Sequence, residues 1–256
     1  RVSADSPIAT ESPPRISVVS VVLDLIKAGR RSEFGGLVAS MRAQTCPRAF
    51  FEHLVIDGGS VDGTVQILEE LQRTGEIDGY LSEPDDGIYD AMNKGLLRAR
   101  GDYCWFVNSD DRLMPDALER ALRVADGAPG GVVYGDVRIG DQLFRGNADL
   151  VWLRMPFCHQ GMMAPTRLIN EVGGFDTSLT ISADFDLLLR LALQRCPMVY
   201  IERVLAEVGP EGASADAKAR IAQRWKVLLR HVFAGTEVDE EILAPLADAP
   251  HDIHRN

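Results

Sequence analysis

The chain has 256 residues, 46% of them hydrophobic, which suffices to bury a sizeable core in one compact domain. A formal net charge of −11 argues against a nucleic-acid partner, because phosphate backbones recruit basic surfaces. A nucleotide remains compatible with that charge, since a metal ion can neutralise a diphosphate locally. Cys46, Cys104, Cys158 and Cys196 form no Cys-x-x-Cys pair that would suggest zinc or redox chemistry, and they fit a reducing cytoplasm. No apolar run approaches the length of a membrane span, and no signal peptide is visible.

Residues 1–14, rich in Ser and Pro, are expected to be a disordered tail. Strands are then expected near 16–23, 51–57, 78–82 and 103–107, alternating with helices near 33–44, 64–73, 88–99 and 115–125. Such alternation predicts an α/β domain, with a mostly parallel sheet and helices on both faces. After the Gly- and Pro-rich stretch 127–131 the pattern changes to short strands around turns, read as a small antiparallel sheet within 127–210. A last helix is expected over 217–233, with Ile221, Trp225, Leu228 and Leu229 on one stripe.

Three acidic loops follow predicted strands. His53-Leu-Val-Ile-Asp57 ends in an acid before the turn-rich stretch Gly58-Gly-Ser-Val-Asp-Gly-Thr64. Ser82-Glu-Pro-Asp-Asp-Gly87 precedes a helix, and Phe106-Val-Asn-Ser-Asp-Asp111 ends an apolar run abruptly. In a parallel sheet all three converge on one edge, where ligands of open α/β sheets bind. Adjacent carboxylates such as Asp110 and Asp111 repel each other and call for a cation. Hard oxygen donors suit Mg²⁺ or Mn²⁺, which keep positions open for substrate phosphates. The plainer alternative is a polar turn, with Asp116 or Asp111 capping the next helix.

These stretches, together with Ile16 to Asp24, Gly173-Gly-Phe-Asp176 and Ser182-Ala-Asp-Phe-Asp-Leu-Leu-Leu-Arg190, resemble family 2 glycosyltransferases with the GT-A nucleotide-sugar fold. The matches run from Arg15 to about Leu205, and their order and spacing are specific together although each alone is weak. The resemblance divides the domain into a nucleotide-sugar half, 15–126, an acceptor and catalytic half, 127–210, and a C-terminal helical segment and tail, 211–256. It implies an inverting transfer from a nucleoside-diphosphate sugar to a hydroxyl acceptor of a glycan, a lipid-linked saccharide or a small molecule. Mn²⁺ or Mg²⁺ is the implied cofactor, with Asp110 and Asp111 as ligands. His159, in Cys158-His-Gln-Gly161, is a third ligand, a phosphate contact or a satisfied core histidine. Asn108 stands where the family often has Asp, which leaves open which group holds the ribose. Asp184 takes the family's position for the general base. Asp186 is its rival, and Ala183 stands where the family often has Glu.

For Asp57, a carboxylate at a strand end can accept the imide N–H of uracil or thymine, favouring UDP or dTDP; it can equally bond its own loop. Asp24 is placed to touch the nucleotide. Asp85 and Asp90 bind the donor or cap the helix after Gly87, and Lys94 reaches the diphosphate or is a solvated charge. The absence of a span means that a lipid-linked acceptor is met at the membrane surface, and peripheral contact and homo-oligomerisation are left open. Two other classes compete: a catalytically impaired nucleotide-sugar binder, and a sugar-phosphate nucleotidylyltransferase. The latter ranks last, because Asp24-Leu-Ile-Lys-Ala-Gly-Arg-Arg31 has too few glycines for a phosphate loop.

Overall fold

The computed structural model describes residues 13–209 and 217–233, so the expected N-terminal tail and most of 211–256 apart from its helix lie outside the described residues. The first strand, β1 (Ile16–Val22), is buried along its whole length, as a continuous apolar run is when both sheet faces are covered. It pairs in parallel with β2 (Phe51–Asp57) on one side and β4 (Tyr103–Phe106) on the other, and β3 (Gly79–Ser82) extends the parallel set beyond β2. The crossovers are α1 (Arg31–Arg42), α2 (Thr64–Arg73) and α3 (Ile88–Arg98). The parallel arrangement puts the ends of β1, β2, β3 and β4, and therefore the acidic loops, on one edge.

Beyond β4 the sheet becomes mixed. Here β8 (Met162–Pro165) runs antiparallel to β4, and β6 (Val132–Ile139) runs antiparallel to β8. A hairpin joins β6 to β7 (Gln142–Phe144). The long β9 (Met198–Val208) runs parallel to β6, and the two-residue β5 (Arg112–Leu113) closes the sheet against β9. The expectation of an antiparallel acceptor-side sheet therefore holds for β6, β7 and β8 but not for the β6–β9 pair. Helices α4 (Ala117–Gly127), α5 (Thr166–Glu171), α6 (Ala183–Leu193) and α7 (Ala217–His231) complete the domain. Phe34, Leu37, Leu68 and Leu118 fill the core on one face of the sheet, while Met92, Leu96, Ile169, Leu188 and Val227 fill the other. Asp116 precedes α4 but makes no side-chain cap; its carboxylate takes the Arg120 Nε at 2.6 Å.

The polar residues of the central strands pair with one another. Ser17 donates to Glu52 at 2.6 Å, Glu52 takes the Arg100 Nε at 2.8 Å, and Ser20 meets His53 Nε2 at 3.0 Å. Burial, the largest cause, holds the His53 pKa down from 6.5 to about 4; nearby Arg48 adds to this and Asp78 opposes it. The unfolded chain therefore takes up a proton near pH 6.5 that the folded chain refuses until about pH 4. The stability from keeping His53 neutral is complete above 6.5 and is lost progressively as pH falls to about 4. A gap of that size is worth on the order of 3 kcal/mol. Denaturant melts of the protein and of His53→Gln, compared pH by pH, should show this extra acid sensitivity only in the former. Parallel curves would mean that His53 is not held neutral.

Candidate active site

At one end of this edge, the loops after β1 and β2 are laced together. Asp24 sits at φ +46°, a left-handed conformation that Asp tolerates better than most residues. Its N–H donates to Ser60 Oγ at 2.7 Å, and the Leu25 N–H donates to Thr64 Oγ1 at 2.9 Å. Asp57 is fully buried. It accepts from the Ser60 N–H at 2.9 Å, from the Ser60 hydroxyl, and from the Ser82 hydroxyl at 2.6 Å. Three of its roughly four acceptor positions therefore serve its own loop and the end of β3. Gly59 needs its glycine: φ is +87°, and a Cβ would stand 3.0 Å from the Pro84 nitrogen. That close approach lays the Gly58–Gly59 turn against Asp85, whose Oδ2 lies 2.5 Å from where a Gly58 Cβ would be.

The loop before α3 is self-contained. Asp85 Oδ1 accepts from the Gly87 N–H at 2.9 Å, and Asp90 accepts from the Asp86 N–H at 3.2 Å. Lys94 donates to the Pro84 carbonyl at 2.5 Å and lies 3.4 Å from Glu83 and 3.2 Å from Asp90. One hydrogen bond to the backbone and two ion pairs thus tie this lysine to its own loop.

At the end of β4, Asp111 is 1% exposed and accepts from the N–H groups of Asn108 at 2.9 Å and Gly209 at 3.0 Å. Burial, reinforced by the charge of Asp110, pushes its pKa up to about 6 against those two hydrogen bonds. Asp110 is half-buried, and its carboxylate packs so closely on Gly209 that a Cβ there would collide with it. Asn108 Oδ1 is buried and has no hydrogen-bond partner among the described residues.

Asp184 lies in the first turn of α6. Its Oδ1 accepts from the Phe185 N–H at 2.8 Å, and its Oδ2 lies 3.1 Å from His159 Nδ1. The Tyr89 hydroxyl donates to the Ile181 carbonyl at 2.5 Å and stands 3.5 Å from Asp184 Oδ1. Burial first, and the Asp184 charge second, hold the Tyr89 phenol above its usual range, so it stays a neutral donor. The thiol of Cys158 feels both carboxylates: burial, then Asp184 and Asp111, push it up to about 12. Asp184 and the acid pair therefore face one region. Asp186, two residues on, points elsewhere: it is 1% exposed and bonded to Arg190 Nε at 2.7 Å and His231 Nε2 at 2.8 Å. Those two partners make it a structural brace.

His159 turns Nδ1 to Asp184, and its Nε2 is buried without a partner among the described residues. No three His, Cys, Asp or Glu side chains gather as a metal cluster among the described residues, so Asp110, Asp111 and His159 are not assembled as a three-ligand set. Ser60, Ser82, Tyr89 and Gly209 were not anticipated. Ser82, Tyr89 and Gly209 work through neighbours far along the chain, for which the sequence carried no local signal, whereas Ser60 also bonds Asp57 within its own turn.

Residues 29–175, more than half of the chain, match the description Glycosyl transferase family 2, and the chain belongs to that family. An uncharacterized glycosyltransferase of Mycobacterium tuberculosis is 34% identical over 221 residues, covering 80% of this chain and 78% of the relative. A PGL/p-HBAD biosynthesis glycosyltransferase of Mycobacterium bovis is 34% identical over 158 residues, 59% of this chain and 61% of its own length. Among solved structures, S. aureus TarS 1-349 in complex with UDP-GlcNAc superposes with TM-score 0.69 at 16% identity, over 91% of this chain and 70% of that one. The mannosyltransferase PcManGT from Pyrobaculum calidifontis, in complex with GDP-Man and Mn2+, gives 0.67 at 18%, over 92% and 70%. The fold is thus the GT-A fold of the glycosyltransferases. No helix among the described residues is long and apolar enough to cross a membrane.

Proposed function

We propose that the protein is an inverting glycosyltransferase, with Asp184 as general base and Asp110 and Asp111 as the seat of a divalent ion. The observation that carries this reading is Asp184 itself. It is a carboxylate with 17% side-chain exposure, oriented by His159, on the same edge as the acid pair. Transfer needs an acceptor hydroxyl deprotonated and held in line with the anomeric carbon. The hydroxyl oxygen bonds to that carbon as the bond to the diphosphate breaks, and Asp184 receives the hydroxyl proton. His159 keeps Oδ2 oriented and the Phe185 N–H keeps Oδ1 oriented, so the carboxylate is held in one pose.

The residues present fit a divalent ion. Mg²⁺ and its relatives are commonly held by one or two carboxylates plus substrate phosphates, so two adjacent aspartates suffice without a third protein ligand. Asp111, whose pKa burial and then the charge of Asp110 raise, is a carboxylate whose anionic form a bound cation would favour. A bound ion would supply Lewis acidity to the departing diphosphate. The orphaned Asn108 Oδ1 would accept a ribose hydroxyl, and Asp24 and Asp85 line the nucleotide side.

UDP or dTDP is the proposed donor nucleotide. Support comes from the remaining acceptor position of Asp57 and from TarS, solved with UDP-GlcNAc. Because Asp57 is fully buried, its use requires the surrounding loop to open on binding. Calorimetry with UDP, dTDP, GDP and ADP in the presence of Mn²⁺ should rank the two pyrimidines first by tenfold or more, the equivalent of about 1.4 kcal/mol. Tighter GDP binding would reject the base assignment. The proposed acceptor is a hydroxyl of a glycan, lipid-linked saccharide or small molecule.

A further inference from the structure

The loop that delivers Asp184 lacks the usual means of holding a helix start. Ser182 occupies the N-cap of α6, yet its side chain makes no cap hydrogen bond. The first N–H groups of a helix need acceptors from somewhere. Here the side chain of Gln223, in the middle of α7, supplies one for the approach to the helix. Its Oε1 accepts from the N–H groups of Thr180 at 3.1 Å, Ile181 at 3.0 Å and Ser182 at 3.3 Å. Its Nε2 donates to Thr180 Oγ1 at 2.6 Å. From the other side the Tyr89 hydroxyl holds the Ile181 carbonyl at 2.5 Å.

The rest of α7 is anchored so that Gln223 keeps its place. Ile221, Val227 and Leu228 are buried, Arg230 pairs with Asp176, and His231 bonds Asp186 at 2.8 Å. The Ser182 hydroxyl also reaches the Arg220 carbonyl at 3.5 Å. All of α7 lies beyond the residues that define the family match.

We infer that Gln223 is a positioning residue: an acceptor donated by one helix to the approach of another, which sets where the Asp184 carboxylate stands. The inference rests on Asp184 being the base. Its effect is on geometry at the reacting proton, and misplacement of about 1 Å can cost on the order of 10²-fold in rate. Donor binding, for which other residues are proposed, is left alone.

The test uses the full chain with Gln223→Ala and Gln223→Glu, read by initial rates and by amide hydrogen exchange. Gln223→Ala should lower kcat by roughly tenfold to 10²-fold with donor KM within about twofold, and should speed exchange at Thr180, Ile181 and Ser182. Gln223→Glu keeps three-way acceptance, and the Thr180 hydroxyl can rotate to donate to the new carboxylate, so it should recover most of the loss. A merely structural role would instead cut activity equally in both variants, in step with melting temperature, and would overturn the inference. So would an unchanged kcat in Gln223→Ala. Should Gln223→Ala fail to fold, Gln223→Met takes its place, keeping length and packing while accepting nothing. Faster exchange in a protein with no transferase activity at all would refute the transferase reading and leave the clamp standing.

Discussion

Asp184→Asn is expected to lower turnover by on the order of 10² to 10⁴-fold, the usual contribution of a positioned general base. The substitution keeps the shape of the side chain, and the amide oxygen can still accept from the Phe185 N–H or from His159 Nδ1. Folding should therefore survive, and the donor dissociation constant should change little, because the acid pair and the nucleotide loops are untouched. The anomeric configuration of the product, read from NMR coupling constants, should be opposite to that of the donor. Retention would exclude a single displacement. Full turnover in Asp184→Asn would remove Asp184 from the chemistry. Asp186→Asn should behave differently: by loosening Arg190 and His231 it should lower the melting temperature first, since one partner of a buried ion pair is lost.

The second large effect concerns Asp110. Chelation should bring transfer down to background, and Mn²⁺ or Mg²⁺ should restore it. Lewis-acid assistance is worth several kcal/mol, so a fall of about 10² to 10³-fold or more is expected. Asp110→Ala should weaken UDP binding when Mn²⁺ is present and leave it unchanged without metal. That dependence distinguishes loss of a ligand from loss of structure. Asp110 is the better target of the pair, because Asp111 also holds the backbone of Asn108 and Gly209, and its removal would unpick the loop as well. Full activity after rigorous chelation would eliminate the ion.

Much of the parallel half could be read from residue order. The β2 strand and the α2 helix begin and end where expected, because Asp57-Gly-Gly and Thr64 punctuate the pattern sharply. Expectation and structure diverge by two residues at the starts of α1 and α4, where no side chain caps the helix. The β9 strand escaped notice: Glu202, Arg203 and Glu207 interrupt its alternation, since much of this strand is only half-buried. Within the site, residue type was readable but employment was not. Asp57, Lys94 and Asp85 carry groups that suit a nucleotide or a loop equally well, and residue order does not reveal the loop hydrogen bonds each one makes. The meeting of His159 with Asp184 joins positions 25 apart, and that of Gln223 with Thr180 joins positions 43 apart. No local spacing encodes either.

The bond from the Gly209 N–H to Asp111 spans 98 residues of chain. During synthesis, at roughly 5–20 residues per second, the first four parallel strands leave the ribosome several seconds before β9 arrives to fasten Asp111, and before α7 arrives after it. Until then Asp111 lacks its Gly209 bond and the loop before α6 lacks its Gln223 acceptor. On the proposed roles of Asp184 and the acid pair, sugar transfer should therefore wait until β9 and α7 are in place. A nucleotide captured at that stage would act as a folding template for the remainder, stabilising the early half by mass action while the later strands dock onto it.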